Sequence, residues 1–309
     1  MWDFDLMAAI RAIEKSMAYV LYRLGLCLGV AIGYLLATLG GAGTLVGFGS
    51  LTKNAISLGP TGSVLGFIAF ALLMARTRTL WFRMVDLPQL GILADQWDRR
   101  EIPSARALLA YATVRKDHAF PHNADLPDLV ASTQEVLKDL SRLHPCPKTA
   151  SAQGPLARLF GHISVRISSS SYRTVLAWHF MSGHANPWQS VAEALLVVDR
   201  HFSEVIRNRM IAIGFTWVGF AAFLPLLDKG IEILVSDIPI RMGFWPLIFA
   251  GVFSWALKAA FFDAIAEAAM LGYLFPIFKQ EAPQSNDQRL ITESPSFAAL
   301  SKKIERNPV

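Results

Sequence analysis

Three ionisable residues, Lys258, Asp263 and Glu267, stand in the last long apolar run of the chain. Taking a charge into hydrocarbon is costly, so groups of this kind mark either a path for polar cargo or partners for charges elsewhere in the fold. Asp263 and Glu267 are four residues apart and share a helix face. Lys258 and Glu267 fall roughly 180° apart at 100° per residue, so the three are not expected to form one cluster on a regular helix. A second polar feature is the glycine-rich stretch 40–66, which holds Gly40, Gly41, Gly43, Gly47, Gly49, Gly59, Gly62 and Gly66 with Lys53, Asn54 and Pro60. Irregular backbone at membrane depth needs burial in protein or contact with water. This stretch therefore reads either as an outer loop that re-enters the bilayer or as an ordinary flexible loop. The re-entrant form with Asn54, Lys258, Asp263 and Glu267 would make a path for a small polar or amphiphilic solute.

Other chemistry finds little support. His118 and His122 are four apart, but Pro121 between them prevents a helical metal pair, and with Asp117 and Asp125 they read as a solvated loop. The sequence has no HExxH, GxSxG or CxxC, and Lys53 lacks the glycine that precedes the lysine of a phosphate-binding loop. The serine run 168–171 reads as a polar helix surface. No enzyme, cofactor or metal is expected. Basic and aromatic residues are not interleaved as nucleic-acid binding would need, so the net charge of +5 is assigned to a membrane surface.

The elements that would position these residues follow from hydropathy. Hydrophobic residues make up 53% of the 309 and charged residues 17%, against about 25% charged in soluble domains. Four apolar runs are long enough to cross a bilayer: 17–39, 59–75, 210–227 and 242–278. The first is followed by a break at the Gly40–Gly43 cluster. The last would measure about 55 Å as a single helix, far more than hydrocarbon requires. It must therefore protrude, with its acids meeting arginines of the central segment, or break around an interior cavity. Gly25, Gly29 and Gly33 recur every fourth residue, which bares backbone along one face for close helix packing, within the chain or between copies.

Positive charge sets the orientation. The segment 76–209 carries seventeen lysines and arginines, three of them (Arg76, Arg78, Arg83) directly after the second run. The connections after the first and third runs are poor in excess positive charge. Both termini and the central segment are thus expected in the cytoplasm. The fold expected is all-α and polytopic, with four transmembrane helices in two hairpins. Residues 1–85 form the first hairpin, 86–206 a basic helical cytoplasmic domain, 207–278 the second hairpin, and 279–309 a polar, disordered tail with a short helix near 297–304. Within the central segment Asn186-Pro187-Trp188-Gln189 is a helix start, with asparagine as N-cap, proline at the first position and glutamine placed to close a capping box.

The pattern Tyr172…Trp178…Gly183…Asn186…Ser190-Val-Ala-Glu-Ala-Leu-Leu, with basic residues leading into an apolar span, resembles the C-terminal region of choline transporter-like proteins. The resemblance covers roughly 165–275. It implies an amphipathic segment before a pair of spans, the last carrying an acid at the place of Asp263. Those proteins have more spans and a large extracellular loop, so no binding residue is carried over. The chain is also similar to uncharacterised bacterial inner-membrane proteins with four spans. The reading is solute transport in a bacterial inner membrane, by a chain that contacts lipid and forms homo-oligomers. The alternative is an anchored scaffold of an envelope, secretion or conjugation assembly whose domain 86–206 binds a protein partner.

Overall fold

The computed structural model describes residues 3–50, 55–121, 125–144, 165–235, 243–281 and 288–306. Among them every regular element is helical. Four helical runs, Met17–Ser50, Leu58–Trp97, Phe202–Leu234 and Trp245–Gln280, are long and apolar enough to cross a membrane.

The first run is α2 (Met17–Ser50), preceded by a short helix α1 (Leu6–Lys15) that Asp5 caps by accepting from the Ala8 amide at 3.0 Å. No break occurs at Gly40–Gly43. The helix continues to Ser50, and α3 (Ala55–Trp81) begins five residues later, so every glycine of the stretch lies in a helix. Residues 51–54, Asn54 included, lie outside the described residues. The expected loop gives way because apolar surroundings offer freed backbone groups no partner other than the next helical turn. A π-helical turn (Phe82–Asp86) joins α3 to α4 (Leu87–Trp97).

The central segment contributes α5 (Ala105–Ala119), α6 (Leu126–Leu143), α7 (Tyr172–Ala177), α8 (His179–Ser182) and α9 (Pro187–Arg200). Asn186 caps α9 as its sequence predicts, accepting from the Trp188 amide at 2.9 Å. Gln189 turns forward to Glu193 instead of closing a capping box. The last long runs are α10 (Phe202–Val235) and the pair α11 (Trp245–Leu257) and α12 (Asp263–Gln280), joined by a second π-helical turn (Lys258–Phe262).

The short helix expected near 297–304 falls within the helix Pro295–Arg306, while the order of residues 288–294 departs from the disorder expected of the tail. Residues 288–306 form α13 (Gln288–Glu293) and α14 (Pro295–Arg306), and α14 packs on α6 and α9. Leu290, Phe297 and Leu300 are buried, and Ser294 caps α14 while donating to Asp139 at 3.0 Å. Three apolar residues at helical spacing suffice once a groove is available to receive them.

The chain divides into two compact units. The first contains residues 1–19, 86–214 and 265–309, with a core that includes Leu93, Leu137, Leu176, Leu195 and Leu271. The second contains residues 20–85 and 215–264. In it α2 and α3 approach until backbone meets backbone: a Cβ added at Gly41, Gly62 or Gly66 would collide with a main-chain oxygen of the facing helix. Of the large apolar side chains exposed among the described residues, only Met7, Met17, Val114, Met210 and Ile291 belong to the first unit. All the rest lie on the second.

Candidate functional site

The two acids of the last run have different partners. Asp263 turns back along its own helix, where Lys258 Nζ donates to its Oδ1 at 2.7 Å. On an α-helix residues five apart are about 140° apart. The π-turn closes i→i+5 bonds and brings such residues nearly above one another. The same ammonium lies 5.6 Å from the centroid of the Trp217 ring, close enough for cation–π attraction. Phe262, within the turn, covers Gly219 and stacks near Phe215, with ring centroids 5.2 Å apart.

Glu267, one turn further, belongs to the first unit and meets arginines there. Arg209 Nη2 donates to its Oε1 at 2.8 Å, with both side chains 8% exposed. Arg173 Nη1 lies 3.9 Å from the same oxygen and donates through Nη2 to Asp86 Oδ2 at 2.8 Å. Arg209 also donates to the hydroxyl and carbonyl oxygens of Ser170, both at 3.1 Å. Four helical runs thus converge on a chain of alternating charge, Asp86–Arg173–Glu267–Arg209. Burial alone would lower the pKa of Arg173, but Asp86, Tyr172 and Glu267 more than offset it, and the guanidinium is held more firmly protonated than usual. Of the two acids, Glu267 meets an arginine of the segment 86–206, Arg173, whereas Asp263 pairs with Lys258.

Two further clusters escaped the sequence reading. Asp95 is wholly buried and accepts a fork from Arg115 (2.9 Å from Nε, 3.0 Å from Nη2) and the Tyr111 hydroxyl at 2.7 Å. Burial and the Asp95 carboxylate push the Tyr111 phenol up to about 12. Arg115 also donates to the Phe180 carbonyl at 2.6 Å. Beside it the buried His179 lies within 2.7 Å of the Ala119 carbonyl through Nε2 and 2.8 Å of Ser190 Oγ through Nδ1. The carbonyl can only accept, so Nε2 carries the proton and Ser190 donates to Nδ1. Burial holds the His179 pKa below its ordinary value, against the opposing pull of the Ala119 carbonyl. A serine hydrogen-bonded to an oriented imidazole has the form of a nucleophile and its base. Ser190 is fully buried, however, which gives the pair a structural part in packing α8 against α9. No spacing in the sequence joins Asp95 to Arg115 or His179 to Ser190, and only the buried aspartate in an apolar helix offered a signal.

Comparison of the chain with protein-family models, curated proteins and solved structures finds no match.

A Cβ at Gly33 would meet the Phe70 ring, whereas at Gly25 or Gly29 it would meet nothing within 4 Å. Close approach within the chain therefore uses Gly33 of that row, together with Gly41, Gly62 and Gly66. Among the described residues no group of three or more histidines, cysteines or acids is placed to hold a metal ion, and His122 lies outside them.

Proposed function

We propose that the chain is a membrane-anchored scaffold, with the second unit embedded in an inner membrane and the first unit offered to a protein partner on the cytoplasmic side. The observation that carries this reading is the segregation of surface type. Exposed large apolar side chains cover the second unit, while the first closes a core of its own and pairs its arginines internally: Arg100, Arg115, Arg142, Arg173, Arg200, Arg207 and Arg209 all reach carboxylates. Large contiguous apolar surface is what lipid covers. The inner ends of the runs carry Arg23, Arg76, Arg78 and Arg83, in keeping with both termini facing the cytoplasm. The isolated segment 86–206 would lack α12–α14, so a partner must be sought with the full chain.

A photo-reactive residue at the exposed Val114 of α5, introduced into the full chain in its native membrane, tests this. One discrete adduct, reproduced when the identified partner carries the reactive group, is the expected result. Uniform, weak labelling would count against a scaffold.

Transport of a small polar solute is the second reading, favoured by the Lys258–Asp263 pair in a helix otherwise apolar from Trp245 to Phe262. Solute uptake by the purified chain in proteoliposomes, lost on Asp263→Asn, would decide for it.

A further inference from the structure

The arginines of the first unit are mostly bonded to carboxylates, but the three of the second unit on α3 and the turn that follows, Arg76, Arg78 and Arg83, are not. The side chains of Arg76, Thr79 and Arg83 make no hydrogen bond or ion pair among the described residues. They follow one another at i, i+3 and i+7, so they share one side of the helix. The opposite side is the packed one: Gly66, Phe67, Phe70, Met74 and Trp81 are all partly covered. The outward side towards the middle of the run continues as exposed Leu72, Ile68 and Leu65. Arg76 is the first charge after the uncharged stretch 55–75, which by itself is long enough to cross hydrocarbon. Its guanidinium therefore reaches the level where acyl chains end and phosphates begin, and Arg83 lies about 10 Å further along the axis.

We infer that Arg76, Thr79 and Arg83 form a binding site for the phosphate of an anionic phospholipid. Each guanidinium offers a planar fork of donors that matches phosphate oxygens, and the Thr79 hydroxyl between them adds a donor on the same side. Leu72, Ile68 and Leu65 supply the apolar strip along which the acyl chain of the same lipid lies. The juxtaposition of phosphate donors with an apolar strip selects a lipid over phosphate in solution. Net negative headgroups are preferred because, among the described residues, no carboxylate neutralises these two cationic side chains. The inference rests on the membrane placement of the second unit and not on partner binding by the first.

The test uses the full chain purified in a zwitterionic detergent, with thermal unfolding followed during titration with short-chain phosphatidylglycerol, phosphatidylcholine or inorganic phosphate. Phosphatidylglycerol is expected to raise the melting temperature at concentrations where the other two do little. Arg76→Gln and Arg83→Gln should each weaken the phosphatidylglycerol response about fivefold. Arg106→Gln, at an exposed arginine of α5, should leave it unchanged. Should the double variant fail to fold, the two single variants carry the test. Equal responses to both lipids, a response reproduced by inorganic phosphate, or a preference that survives both substitutions would each overturn the proposal. Release of the native chain from membranes by alkaline carbonate would instead remove the membrane placement itself, before any lipid is added.

Discussion

Lys258 and Asp263 are bonded at 2.7 Å across five residues of one helix, a separation that a regular α-helix would place on different faces. The π-turn that joins them lies in the chain just before Asp263, where α12 begins and leads on to Glu267 and its arginines. Deleting Ala259 should restore α-helical phase and leave the pair four residues apart, still on one face of the helix. Cross-linking of cysteines placed at 258 and 263 reports the turn directly: the pair should cross-link in the native chain after Cys27 and Cys146 are replaced and keep that cross-link in the deletion, whereas no cross-link in the native chain would show a regular α-helix there.

Glu267→Gln leaves Arg209 buried without its counter-charge. A loss of about 3–5 kcal/mol is expected for breaking one partner of such a pair. Thermal unfolding in detergent measures it, and joint replacement of Glu267 by Gln and Arg209 by Met should recover part of the loss. A purely additive double variant would show that the pair is not coupled.

Stability should depend on pH through His179. Its folded pKa is depressed by burial, so the unfolded chain binds the proton more readily than the folded one. The contribution is fully present above roughly pH 6.5, the value for an unburied imidazole. It declines as pH falls and levels off once the folded His179 has itself titrated. The difference in unfolding midpoint between the native chain and His179→Asn, followed from neutral to acidic pH, isolates this contribution. A difference that does not change with pH would contradict it.

Gly62→Ala and Gly66→Ala put a methyl group against facing main chain, and overpacking of this kind costs about 1–3 kcal/mol. Gly25→Ala and Gly29→Ala meet nothing within 4 Å among the described residues and should leave monomer stability intact. Light scattering after size-exclusion chromatography then gives these two a separate use. A change of mass caused by Gly25→Ala or Gly29→Ala would place a second copy against that face.

Orientation is open to cysteine labelling. With Cys27 and Cys146 replaced, a cysteine at Ser236 should react with an impermeant maleimide added outside the cell, and one at Ser285 only after the membrane is opened. The reverse pattern would turn the chain over, and the scaffold reading with it.

Much of the architecture could be read before any coordinates. Apolar runs interrupted by arginines marked the four long helices, and Asn186-Pro187 marked the start of α9, because a helix end is decided by residues within one turn of it. The ends of the long helices were less legible. Glycines at 40–43 read as a break, and the structure uses Gly41 as a point of contact with Gly62 across the helix pair. The polar composition of 279–309 read as disorder because α6 and α9, on which α14 packs with Phe297 and Leu300 buried, belong to residues about a hundred or more positions earlier.

The composition and local order of residues by themselves determined that this chain is helical, and that four of its helices are apolar enough for a membrane. Tertiary structure alone decided which charges meet. Arg209 and Glu267 are 58 residues apart, and Arg173 and Asp86 are 87 apart. Hydrogen bonds along a helix reach four residues, so sequence periodicity records them. An ion pair between helices depends on which faces are brought together when both have already formed, and a single π-turn, by rotating everything after Lys258, changes that outcome without altering any residue's type.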